Sequence, residues 1–170
     1  MGKPIDPEEI RNIRLIRSDS RAISFLYQQK LYKYDEQGEI HVIWEFANPV
    51  AVRPYIWLSE SKVLLLDDAE ILNDWKLLLL DVKTGEVNVL DTAVSAFAVS
   101  SEGILYGKKY YMGAWCEWEL HFLNSRMDQV REPIRNSFWS IGQILCGTDG
   151  KIYILSDKSG VIDEKETEVF

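Results

Sequence analysis

Short apolar runs follow one another along most of this chain, separated by small polar turns. "KLYKYDEQGEIHVIWE" and "KLLLLDVKTGEVNVLD" each read as two strands around a tight connection. Alternation of apolar and polar residues with period two predicts half-buried strands. The glycines of "DEQGE" and "VKTGE" stand where a hairpin turn wants a left-handed residue. No stretch sustains a helical period with caps. The best helix candidate is "DPEEIRNI", a turn or two, with Asp6 as cap and Pro7 at the first helical position.

The hairpins recur. Four stretches carry a strand, a polar turn with one acid, and a second strand: "IRLIRSDSRAISFLY", "YIWLSESKVLLLD", "FAVSSEGILYG" and "QILCGTDGKIYIL". Their acids, Asp19, Glu60, Glu102 and Asp149, are 41, 42 and 47 residues apart. A second hairpin follows each of the first three, its first strand ending at Asp35, Asp81 or Asn124, spaced by 46 and 43 residues. Each unit is thus four short strands. The units fall near 13–46, 55–91, 95–134 and 140–170 of a single all-β domain, 1–170, and the last is incomplete.

Four-stranded units at this spacing resemble the β-propeller repeat proteins as a broad class. The WD dipeptide and the kelch double glycine are absent, so no subfamily is implied. The resemblance implies an all-β fold of about four blade-like units, a small or incomplete propeller. An antiparallel β-sandwich or barrel built from the same hairpins remains the alternative. In a propeller the short regular turns share one face and the irregular connections share the other. Binding is expected where loops break the repeat.

Four such segments stand out. They are "FANPVAVRP" (46–54), the acidic "DDAEILND" (67–74), the aromatic and basic "GKKYYMGAWCEW" (107–118), and "REPIRNSFWS" (131–140). The candidate partner-binding residues are Asp67, Asp68, Glu70 and Asp74 as an acidic patch. Tyr110, Tyr111, Trp115, Arg135 and Trp139 join them as aromatic or cationic anchors. Trp75 and Trp118 begin strands and read as structural. The acid spacing does not match a calcium loop, so no metal is expected.

Net charge changes the picture next. At −8 the chain lacks the basic footprint of nucleic-acid binding, and it is suited to steer a basic partner. No apolar run is long enough to span a membrane as a helix. Cys116 and Cys146 form no C-x-x-C motif, and the polar start "MGKPIDPEEIRN" lacks a signal-peptide core, so a cytoplasmic location with reduced thiols is expected.

Catalytic constellations are not evident. His41 and His121 lie in strands without ligand spacing, and neither a G-x-S-x-G elbow nor a P-loop occurs. The expected function is therefore a non-catalytic protein-binding module without cofactor. Its sharper version is an acidic inhibitor of a basic partner, of the immunity-protein type. A carbohydrate or small-ligand binder using Tyr110, Tyr111, Trp115 and Trp139 is one alternative, and an enzyme of unknown type is another. The oligomeric state is left open. The incomplete last unit also admits completion across a dimer.

Overall fold

The computed structural model describes residues 15–18, 23–27, 29–35, 37–46, 54–68, 75–112, 115–135, 140–147, 151–155 and 167–169. Every regular element among them is a strand, as the all-β reading expects. The helix candidate at 6–13 lies outside the described residues. Among the described residues no helix is long and apolar enough to cross a membrane.

One sheet has four strands in chain order: β1 (Leu15–Ser18), β2 (Ile23–Tyr27), β3 (Lys30–Tyr34) and β4 (Ile40–Glu45). A seven-stranded sheet runs in the order β11 (Ile134–Arg135), β10 (Trp115–Leu123), β9 (Gly103–Met112), β8 (Glu86–Ser100), β7 (Trp75–Asp81), β6 (Lys62–Asp68) and β5 (Tyr55–Trp57). The third sheet orders β12 (Gln143–Cys146), β13 (Ile152–Leu155) and β14 (Thr167–Val169), so the C-terminal tail supplies its last strand. Sequential antiparallel neighbours throughout are what short turns permit. The contacts divide the chain into two compact units, Met1–Asp68 with Leu78–Asn88, and Ala69–Leu77 with Val89–Phe170.

In the first unit the hairpin ends are set by Asx turns. Asp35 Oδ1 accepts the backbone N–H of Gln37 and of Glu39 at 3.0 and 2.9 Å. Asp81 Oδ1 takes Lys83 and Thr84 in the same way. Gly38 and Gly85 follow with φ of +80° and +74°, the left-handed conformation the sequence anticipated. The core joins Leu26, Leu31 and Phe46 to Tyr55, Val63, Leu65, Leu78 and Leu80. Polar groups inside it are paired: Trp57 Nε1 donates to Ser24 Oγ at 2.9 Å, and that oxygen lies 3.1 Å from the Tyr55 hydroxyl. Leu64, Leu66 and Leu79 are buried too. Both faces of β6 and of the C-terminal part of β7 are therefore covered, and this is why their sequences run apolar without alternation.

In the second unit Asn124 repeats the Asx turn, its Oδ1 accepting from Arg126 and Asp128 at 2.8 and 3.0 Å. Met127 takes the left-handed position, at φ +71°, that Gly38 occupies in the first copy. Ala96, Leu105, Leu120, Phe122, Ile141, Ile144 and Ile154 form this unit's core. Gly107 sits against Ile141: a Cβ there would stand 2.6 Å from Ile141 Cγ2. The strands read separately near 86–91 and 95–100 are one strand, β8, which bends where Ala93 takes φ +59° and the register slips between Val94 and Ala96.

Candidate functional site

The acidic segment is not a free loop where it is described. Asp67 lies on β6, only 6% exposed, and accepts the Trp44 indole N–H at 2.8 Å. Burial is tolerated because the indole replaces water around that carboxylate. Asp68 ends the same strand, but its side chain lies outside the described residues, as do Glu70 and Asp74.

The aromatic segment is likewise a hairpin and not an irregular loop. Residues 107–112 continue β9 and residues 115–118 begin β10, with Tyr110 opposite Glu117, Tyr111 opposite Cys116 and Met112 opposite Trp115. Tyr110 is 48% exposed. The side chains of Tyr111 and Trp115 are outside the described residues, and so is Trp139. Trp118 packs against the second core, in keeping with a structural role. Regular strand pairing satisfies the backbone here, and that favours the longer hairpin over a loop.

On the face of β9 and β10 opposite that core, polar side chains converge. Lys108 Nζ reaches Asp91 Oδ1 at 2.5 Å, and the Tyr106 hydroxyl donates to Asp91 Oδ2 at 2.9 Å. The Tyr106 ring stacks on His121, with centroids 5.0 Å apart. His121 Nε2 lies 2.9 Å from Glu119 Oε2, and Glu119 Oε1 accepts from Arg135 Nε at 2.8 Å. Glu119 is buried, while the Arg135 side chain is 71% exposed. Arg135, picked as an anchor, is therefore tethered at Nε and still accessible. Burial, then the Asp91 charge and hydrogen bond, push the Tyr106 phenol well above its ordinary pKa.

His121 and His41 are each held by carboxylates. Among the described residues neither imidazole is hydrogen-bonded to a hydroxyl or a thiol. His41 Nε2 meets Asp35 Oδ2 at 2.7 Å and Glu39 Oε2 at 3.9 Å. That exposed trio is an extension of the Asx turn, whose Glu39 N–H and then His41 bond hold the Asp35 carboxyl below the usual range. Cys146 is a free thiol, and burial pushes its pKa up, away from the reactive thiolate.

The second unit also carries a cleft of about 470 Å³. Three places build it: the Ser100–Gly103 turn between β8 and β9, Leu123 with Val130 and Arg131 after β10, and Cys146, Gly147 and Lys151 at the facing ends of β12 and β13. Phe122 and Leu105 give it an apolar floor, and Val130, 56% exposed, stands at its margin. Arg131 lays its guanidinium over the Phe122 ring, 3.2 Å from the centroid. Among the described residues that guanidinium makes no ion pair. Lys151 adds a second cation and Glu102 an acid. Gly103 lets the turn close: at φ +145°, a Cβ there would stand 2.0 Å from the Leu123 carbonyl oxygen.

Most cleft residues come from the regular turns, which the sequence marks as scaffold, while Arg131 opens the irregular 131–140 segment. Each turn is ordinary by itself, and only the fold brings the three together. The one sequence-level signal is the S-x-E-G-like turn itself, which recurs at "SSEG" and "CGTDG".

No protein-family model matches this chain, and no characterised protein matches it in sequence. Solved structures do match in shape. The N-terminal domain of Nup159 is 14% identical with a TM-score of 0.55, covering 93% of this chain and 43% of that one. Streptogramin B lyase is 14% identical with a TM-score of 0.53, covering 94% and 54%. The WD40 β-propeller domain of Doa1 is 14% identical with a TM-score of 0.51, covering 85% and 46%. This chain thus spans about half the length of each of the three. Likeness at this identity speaks to fold alone, and the fold it shows is all-β and of the β-propeller type.

Proposed function

We propose that this chain is a non-catalytic binding module that takes a segment of a protein partner into the cleft of the second unit. One observation carries the reading. A guanidinium that makes no ion pair among the described residues is already seated on an aromatic floor, beside an exposed valine, in a concavity of binding-site size. Arg131 on Phe122 is pre-organised, so little side-chain entropy is lost when an anion arrives. The chemistry favours a segment with an acidic residue next to an aliphatic or aromatic one: the acid for Arg131, the apolar group for Val130 and the floor.

The finer reading, an inhibitor of a basic protein, is supported by the net charge of −8, which would steer such a partner from a distance. The two readings differ in what the partner presents locally. A random-peptide library panned on the wild-type chain tests them. The expected result is a consensus that pairs an acid with an apolar residue and is lost on Arg131→Glu or Val130→Asp. Enrichment of basic peptides that bind both variants equally would remove the cleft from the account.

A further inference from the structure

The cleft of the second unit holds a charge at each end. Arg131 lies over the Phe122 ring, and Phe122 stands opposite Leu105 in the β9–β10 register. Glu102 also lines the cleft, in the turn that leads into β9, three residues before Leu105. Strand residues advance about 3.3 Å each, so Glu102 is roughly 10 Å along the cleft from the level of Arg131. Leu105 and Phe122 floor the span between them.

The turn fixes the backbone of Glu102 and leaves its carboxylate unengaged. The Glu102 N–H donates to Ser100 Oγ at 3.2 Å, and the Ser100 hydroxyl reaches the Gly103 carbonyl at 3.4 Å. Glu102 is exposed, and among the described residues its carboxylate joins no ion pair and accepts no hydrogen bond. Lys151, which also lines the cleft, is already engaged in an interaction of its own, so Arg131 is the cation left for an incoming acid. An acid at Arg131 and a base at Glu102 complement the cleft, and the opposite order meets like charge at both ends. The whole chain adds a reason for the base. At −8 it repels a purely acidic segment from a distance, and a base carried beside the acid offsets that repulsion.

We propose that the partner segment is charge-polarised: an acid at Arg131, apolar residues over Leu105 and Phe122, and a base at Glu102. In an extended segment the acid and the base are about three residues apart. The inference rests on the cleft reading and makes Glu102 the residue that selects the second charge.

Fluorescence anisotropy titrations with three labelled peptides test it. In a common glycine–serine frame, each carries aspartate, two leucines and then lysine, glutamine or glutamate. The wild type is expected to bind the lysine peptide about two- to fivefold more tightly than the glutamine peptide, and the glutamate peptide most weakly. Added salt should shrink that preference, because both charges are exposed. Glu102→Gln should erase it, and Glu102→Lys should invert it in favour of glutamate. Both variants change an exposed turn side chain, and far-UV dichroism checks that they fold. Equal binding of the three peptides, or a lysine preference that survives Glu102→Gln, would overturn the proposal and leave the cleft reading standing if Arg131→Glu still abolishes binding. No binding at all, or binding indifferent to Arg131→Glu, would overturn both.

Discussion

In the first unit, the β1–β4 sheet buries Leu26 and Leu31 on one face and leaves Ile23, Tyr34, Ile40 and Val42 half-exposed on the other. In the second unit, the β9–β10 hairpin buries Leu105, Leu120 and Phe122 on one face and covers the other with Asp91, Tyr106, Lys108, Glu119 and His121. The same repeat thus produces an apolar open face in one place and a hydrogen-bonded polar face in the other, on which the buried His121 Nδ1 has no partner among the described residues. A face closed by its own hydrogen bonds needs no further cover, whereas an apolar face gains from one. The two units thus differ in how their second faces are finished, by half-exposed apolar side chains in the first and by hydrogen-bonded polar ones in the second.

Glycines give the largest contrast between the units. Gly103→Ala in the second unit drives a Cβ into the Leu123 carbonyl, and the backbone there cannot yield cheaply. A loss of about 3 kcal/mol or more is expected in urea unfolding. Gly85→Ala in the first unit meets nothing within 4 Å, so only its positive φ resists, at about 1 kcal/mol. Similar losses at both sites would mean that Gly103 is not packed as described.

The polar face comes next. Glu119→Ala leaves His121 and Arg135 without their shared carboxylate and should cost about 2–4 kcal/mol. Glu119→Gln, which keeps a side-chain acceptor, should cost less. Equal losses for the two variants would show that the hydrogen bonds at Glu119 contribute little.

Tyr106 makes stability fall at high pH. Its pKa is raised in the folded state, so its contribution is complete below the unfolded value near 10 and is lost as pH rises above it. Denaturation midpoints followed from pH 8 upward should decline above about pH 10. Tyr106→Phe should flatten that decline, and an unchanged slope would place the titrating group elsewhere.

The smallest effect is a gain. Met127→Gly relieves a left-handed residue in the third Asx turn, where Gly38 and Gly85 already serve the first two. Up to about 1 kcal/mol of added stability is expected in thermal melts.

Much of the fold is legible in the chain. Asp35, Asp81 and Asn124 mark the turns because a short polar side chain accepts its neighbours' N–H groups wherever it stands. Asp67 was not legible, because its partner Trp44 is 23 residues away and an acid at a strand end reads like the start of a loop. The 107–118 segment breaks the repeat in composition while keeping strand pairing, so its aromatics suggest a loop that the backbone does not form. The cleft is not legible in the chain for a geometric reason. Ser100 belongs to a regular turn and Lys151 to the start of a strand, and Arg131, though it opens the irregular 131–140 segment, gains its meaning only from Phe122, nine residues away on β10.

Hydrogen exchange of the wild-type chain with a peptide selected on it tests the central claim most directly. Slowed exchange is expected in 100–105, 122–131 and 146–152, with no change in 23–45, and loss of that protection in Arg131→Glu. Protection confined to other residues, or surviving unchanged in Arg131→Glu, would contradict it.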